Sequence, residues 1–198
     1  MAPVPSVLDS IRDPTGASRH DQILAAAARL FAERGFHGVT IEELGEAVGV
    51  TGPAVYKHFA NKDAVLGELL IGVSRELLYG GTAVVEGIRG TREALEALVR
   101  FHVDFALVGA DLIRVQDRDL ANLSSSPAHQ VRSLQRAYVE VWVGALRRAR
   151  PRTGDVEARF RAHAAFGLLN STPHSAPRVE GVDVAALLAR MALAALDS

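Results

Sequence analysis

The sequence predicts an all-α protein of about nine helices, and three observations carry that prediction. Apolar residues recur at helical spacing from His20 to the C-terminus. Capping residues and glycines fall at the ends of those periodic runs. No stretch reads as a convincing strand, and no internal repeat or low-complexity segment interrupts the pattern.

Residues 1–18 hold three prolines and little periodicity, and read as a flexible arm. Ile23, Ala27, Leu30 and Phe31 then follow i, i+4, i+7, i+8, an amphipathic helix from His20 to about Arg34. Gly35 ends it, with Phe36 folding back on its last turn. Thr40 and Glu43 form a capping box for a second helix that buries Ile41, Leu44 and Val48 and stops at Gly49. Thr51 is placed to cap a short third helix, with Pro53 in its first turn and an end near Phe59. Asn61 caps the fourth, whose stripe is Val65, Leu66, Leu69, Leu70 and Val73, and Gly80 with Gly81 is expected to break or kink it.

From Thr91 to Val108 apolar residues surround the helix, which predicts a central buried element. A charged stretch covers 112–123, and Ser124 to Pro127 is a turn. An amphipathic helix spans 128–149, with Val131, Leu134, Tyr138, Val141, Trp142 and Ala145 on one face. Pro151 to Gly154 interrupt it before a helix over 155–172. A loop with Pro173, Pro177 and Gly181 leads to the last helix, 183–197.

Composition bounds the chemistry. The chain has 198 residues, of which 48% are hydrophobic, so a sizeable core can form. Cysteine is absent, which removes disulfides, thiolate metal sites and cysteine nucleophiles together. No apolar run reaches the roughly 18–20 residues that cross a bilayer, and the reading is a soluble, cytoplasmic protein without a membrane partner. The formal net charge is −1, so any nucleic-acid contact must rest on a few placed groups. Only two lysines occur, Lys57 and Lys62. The seven histidines form no HxxxH or HExxH pair, and no paired carboxylates lie in an apolar helix face. Neither catalysis, nor a cofactor, nor a metal is expected.

Two short helices joined at Gly49-Val50 behind a longer one are a helix-turn-helix candidate. The residues sharpen it. They include A-x-x-L-F-x-x-x-G-F-x-x-x-T from Ala27 to Thr40, G-V-T at 49–51, Y-x-H-F from Tyr56 to Phe59, and Asn61-Lys62-Asp63. Over about residues 19–65 the chain resembles the DNA-binding domain of the TetR (TetR/AcrR) family.

That resemblance implies an arm (1–18), a helix-turn-helix domain (19–65) and a ligand-binding and dimerisation domain (66–198). It also implies a transcriptional regulator with a ligand pocket, and the apolar 91–108 helix with its aromatic neighbours makes the reading a repressor released from its operator by a small apolar or acyl-CoA-like effector. Such a protein works as a homodimer on near-palindromic double-stranded DNA. The resemblance places Thr40 on a phosphate, and Thr51, Gly52 and Ala54 at the major groove, with sparse base reading at so small a residue as Gly52. Tyr56, Lys57, His58 and Lys62 fall on the backbone. For Tyr56 and the lysines the alternative is a core aromatic and solvated charges, and for Phe59 the core is the reading adopted. Arg12 and Arg19 either enter a minor groove or belong to an arm without function. Gly45 departs from the family, which has a small residue with a β-carbon there, and should loosen the second helix by somewhat under ~1 kcal/mol.

For the effector, Phe101, Phe105, Tyr138, Trp142 and Phe166 are large side chains on helices expected to face one another. His102, Arg114, Asn170 and His174 are the polar groups that would orient a ligand. Each aromatic is equally well explained as core, and His102 as a satisfied core histidine. The run from Arg114 to Asp119 reads as a solvated turn with internal ion pairs, or else, with Arg132, as a basic mouth for an anionic ligand. A helical adaptor that does not bind specific DNA sequences is the rival function.

Overall fold

In the computed structural model, residues Leu8, Ile11, 16–172 and 182–198 are described. Arg12, His174 and the loop prolines lie outside them, as does most of the arm. Among the described residues there are nine α-helices and no strand. They are α1 (Arg19–Arg34), α2 (Ile41–Ala47), α3 (Gly52–Val55), α4 (Lys62–Glu86), α5 (Thr91–Val108), α6 (Ala110–Asp119), α7 (Ser125–Ala149), α8 (Asp155–Asn170) and α9 (Val184–Asp197). A 3₁₀ turn, Leu120–Asn122, follows α6. No helix among these residues is long and apolar enough to cross a membrane.

The chain packs as two compact units. One contains Met1–Ser74 and Asp111–Arg132, the other Arg75–Ala110 and Ser133–Ser198. Local chemistry explains several helix ends. The Ser18 side chain accepts from the Asp21 N–H at the start of α1, and the Asn61 Oδ1 accepts from the Ala64 N–H at the start of α4. Asp183 does the same for α9, through the N–H of Ala186. Gly35 and Gly49 take φ of 79° and 71°, where a side chain would be strained, and so end α1 and the turn after α2.

Several expectations change. Val48 is half-exposed rather than buried. The Thr51 side chain makes no capping hydrogen bond. The charged stretch is helical: α6 buries Leu112, Ile113 and Val115. Pro127 sits within the first turn of α7, where its missing N–H leaves no bond unmade, so the segment read as a turn belongs to the helix. α5 is amphipathic, exposing Arg100, Asp104 and Leu107.

Most instructive is α4, which runs unbroken through Gly80 and Gly81. A β-carbon at Gly80 would stand 2.5 Å from the Phe101 ring, and one at Gly81 2.5 Å from the Tyr138 ring. These glycines let aromatic side chains of α5 and α7 lie directly on the α4 backbone. They are packing surfaces, not breakers.

Candidate nucleic-acid interface and a buried histidine cluster

In the first unit, α1 supplies a buried scaffold of Ile23, Ala27, Leu30 and Phe31, against which α2 packs. The capping box at α2 is complete. The Thr40 hydroxyl accepts from the Glu43 N–H at 3.2 Å, and the Thr40 N–H donates to Glu43 Oε2 at 2.8 Å. That backbone bond, with the Arg34 guanidinium 2.6 Å away, holds the Glu43 carboxyl below its ordinary pKa. Thr40 itself remains exposed at the α2 N-terminus, where N–H groups and the helix dipole favour an anion.

The α2–α3 turn is closed tightly, with the Val50 N–H donating to the Gly45 carbonyl at 2.9 Å. A β-carbon on Gly45 would lie 2.8 Å from the Val50 carbonyl oxygen, so the bare residue permits an approach that a side chain would push apart. Sequence reasoning assigned Gly45 only a helix-propensity penalty and missed this contact.

α3 is anchored by Val55 and Phe59, both fully buried. This leaves Thr51, Pro53, Tyr56, Lys57 and His58 exposed and Ala54 half-exposed. Tyr56 is 53% exposed, which removes the core explanation for that ring. Gly52, expected at the groove, is buried against the Glu42 side chain and offers no surface for a base. Pro53, which the sequence reading passed over as a first-turn residue, is exposed between Thr51 and Ala54.

Three cations are tied to backbone carbonyls. The Lys62 ammonium donates to the carbonyls of Phe36 (2.8 Å) and Val39 (2.7 Å) and sits 4.5 Å from the Phe36 ring centre. It therefore ties α4 to the α1–α2 turn, with one N–H left over. Arg19 donates to the Val48 carbonyl at 2.5 Å rather than extending with the arm. Arg118 behaves similarly: its guanidinium donates to the Phe31 and Ala32 carbonyls at the end of α1 and pairs with buried Asp119 at 3.0 Å. His37 bonds Asn122 at 3.0 Å and Ser124 bonds Asp63 at 3.1 Å, so the segment between α6 and α7 is fastened to the α1–α2 turn and to the start of α4 within this unit. Arg118 is thereby withdrawn from the suggested basic mouth, and Arg114 pairs with Asp111 at 2.8 Å.

In the second unit, His102 of α5 is 2% exposed inside a ring of aromatics: Phe105, Tyr138, Trp142 and Phe166, with ring centres 5.0–5.8 Å from its own. The Asn170 Oδ1 lies 3.1 Å from His102 Nε2, which places the imidazole proton there. Nδ1 then accepts from the Tyr138 hydroxyl at 3.2 Å. Burial lowers the His102 pKa to about 4, against a smaller opposing effect of Asn170, and raises that of Tyr138. The Trp142 indole N–H approaches the Tyr138 hydroxyl without hydrogen-bond geometry and has no partner among the described residues.

Six of the nine residues expected to meet a ligand thus converge: His102, Phe105, Tyr138, Trp142, Phe166 and Asn170. Phe101 instead lies against Gly80, Arg114 belongs to the other unit, and His174 is outside the described residues.

Residues 23–69 match the pattern of bacterial regulatory proteins of the tetR family, and residues 89–174 match the tetracyclin repressor-like C-terminal domain. The chain belongs to the TetR family. It is a helix-turn-helix transcriptional regulator. Among its relatives is the HTH-type transcriptional repressor KstR2 of Rhodococcus jostii, 27% identical over 168 residues, 84% of this chain and 82% of the relative. The fold is shared with a TetR-family regulator from Bordetella parapertussis, with a TM-score of 0.81 at 23% identity over 90% of this chain and 94% of that one. It is shared also with AibR, solved in complex with isovaleryl coenzyme A and operator DNA, with a TM-score of 0.74 at 21% identity over 88% and 96% of the two chains. In this TetR-type chain, the exposed side of α3 falls in the first matched segment and the cluster around His102 in the second.

Proposed function

We propose that this TetR-family regulator is a homodimeric cytoplasmic repressor without catalytic activity. It grips a near-palindromic double-stranded operator and releases it on binding a small apolar effector of acyl-CoA type. The observation that carries the DNA half of this reading is the contrast within α3: Val55 and Phe59 are buried, while Thr51, Tyr56, Lys57 and His58 are exposed together. A helix anchored on one side and polar on the other suits insertion in a major groove, with Thr40, Tyr56, Lys57 and His58 on phosphates and Thr51 and Ala54 near base edges. Lys62, with two of its donors spent on carbonyls, serves mainly to position the turn that presents Thr40.

The dimer reading is supported by α8 and α9. Val156 and Phe160 are 71% and 73% exposed, Ala164 and Gly167 continue the same side of α8, and Leu187 and Met191 are exposed on α9. Small residues beside large apolar ones allow two copies to pack as a four-helix interface. The effector reading draws on the aromatic cluster around His102, and on AibR, a likeness in fold whose structure holds an acyl coenzyme A. Release requires that the effector favour a conformation with the recognition helices displaced. α4, which begins at the DNA-binding helices and continues into the second unit, is the lever.

Selection of bound sequences from a random DNA pool tests the reading directly. Enrichment of an inverted repeat bound by a dimer is the expected result. Retention of random DNA without enrichment, or a monomer in light scattering at micromolar concentration, would sink it.

A further inference from the structure

The cluster around His102 has one fully buried side-chain polar atom that its neighbours leave unused. The Asn170 oxygen is opposed to Nε2, Nδ1 takes the Tyr138 hydroxyl proton, and the buried Trp142 indole N–H lacks an acceptor among the described residues. Trp142 is completely buried, and a buried donor without an acceptor is unfavourable unless something supplies one. Around it stand the rings of Tyr138 and Phe166, with the neutral His102 imidazole edge-on to it. Phe166 and Asn170 are half-buried, so the α8 side of the cluster is its less covered side.

We propose that the Trp142 indole N–H, framed by Tyr138 and His102, is the recognition point for a single neutral carbonyl oxygen of the effector, and discriminates against a carboxylate. This rests on the effector reading above and narrows it. The charge argument decides between the two oxygens. Among the described residues, those stacked on or hydrogen-bonded to His102 carry no positive charge. Burial also keeps the imidazole neutral well below physiological pH. A carboxylate placed here would lose its hydration and gain no counter-ion, whereas a carbonyl loses little and gains one donor. The carbonyl belongs either to the thioester of an acyl chain or to a ring ketone, and both present the same single acceptor within an apolar body.

Trp142 is the only tryptophan, so the full-length protein gives one indole N–H resonance to assign and follow. In the ligand-free protein this resonance should lie upfield, as for an N–H that is not hydrogen-bonded, and exchange slowly with solvent. It is then titrated with octanoyl-coenzyme A, with the thioether octyl-coenzyme A that lacks the carbonyl, with octanoate, and with 1-decalone beside decalin. A downfield shift with octanoyl-coenzyme A or 1-decalone, and none with the other three, is the expected result, and the responding member tells thioester from ketone. Removing the carbonyl should weaken binding about tenfold or more. The shape-preserving Trp142→Phe variant should lose that preference while still binding the carbonyl-free analogue.

Equal binding of thioester and thioether, tighter binding of octanoate, no shift with any probe, or an indole N–H already bonded in the free protein would each overturn the inference. Operator release is followed in parallel. A compound that releases DNA but leaves the indole unmoved would refute carbonyl recognition and preserve the effector reading. A carbonyl compound that moves the indole without releasing DNA would do the reverse.

Discussion

The two units use polar side chains in opposite ways. In the DNA-binding unit, cations are spent on backbone carbonyls: half-buried Lys62 on Phe36 and Val39, and exposed Arg19 on Val48 and Arg118 on Phe31 and Ala32. The groups left for a partner are at the surface of α3. In the second unit the polar groups of greatest interest are uncharged, with His102, Tyr138 and Trp142 buried among aromatic rings and half-buried Asn170 bonded to His102. The first arrangement suits a polyanion met in water, where rigid placement matters more than dryness. The second suits a small ligand withdrawn from water, where one unmatched donor can decide affinity.

The largest measurable consequence of this contrast lies in pH. His102 has a folded pKa of about 4, lowered by burial from an unfolded value of 6.5. Between these values the unfolded chain binds a proton that the native chain refuses. Stability is therefore full above pH 6.5 and falls as pH drops toward 4, by an amount that reaches roughly 3 kcal/mol. Urea midpoints measured across that window should fall more steeply with acid in wild type than in His102→Gln, whose side chain does not titrate. If the two pH profiles run parallel, the imidazole is not kept neutral by the core.

Next in size is Gly81→Ala. Helix propensity alone forecasts a gain approaching ~1 kcal/mol for replacing glycine in a helix interior. The structure forecasts a loss of about 2 kcal/mol, because the new methyl would enter the Tyr138 ring, itself buried. A stabilised variant in urea titration would mean that Tyr138 yields easily and the cluster is looser than described.

What could be read in the sequence follows the same division. The capping box, the Gly35 and Gly49 turns, the α4 stripe and the recognition motif are all local, with each function fixed by residue types a few positions apart. The cluster was only half legible. Its aromatic members could be picked out as large side chains on facing helices, but Phe101 looks no different from Phe105 until α4 is seen against it. Gly80 and Gly81 misled for the same reason: propensity is a property of one helix, and their use depends on Phe101 and Tyr138 far along the chain. Inward-turned Lys62 left no trace because its partners are carbonyls, which every residue carries.

Lys62 itself gives a third test, of about 1.5–2 kcal/mol. Lys62→Met keeps the stem length and the contact with Phe36 but removes two charge-assisted bonds to Phe36 and Val39 carbonyls. Thermal stability should fall, and DNA affinity with it. Unchanged melting with a salt slope reduced by about one unit would show instead that the ammonium serves a phosphate.

The smallest effect is expected at Tyr56, and it separates the two units most cleanly. The ring stands 53% exposed beside Lys57 and His58, on the side of α3 opposite buried Val55 and Phe59. Tyr56→Phe removes one hydroxyl from that surface and no core contact, so urea stability should stay within about 0.5 kcal/mol of wild type. A lost hydrogen bond to a phosphate should weaken operator binding by about 1–2 kcal/mol, equally for specific and random DNA, because a backbone contact carries no sequence information. Fluorescence anisotropy against both DNAs measures this directly. Loss of affinity for the operator alone would move Tyr56 from the phosphate backbone to a base edge. No loss for either would leave α3 presenting its polar side to something other than DNA.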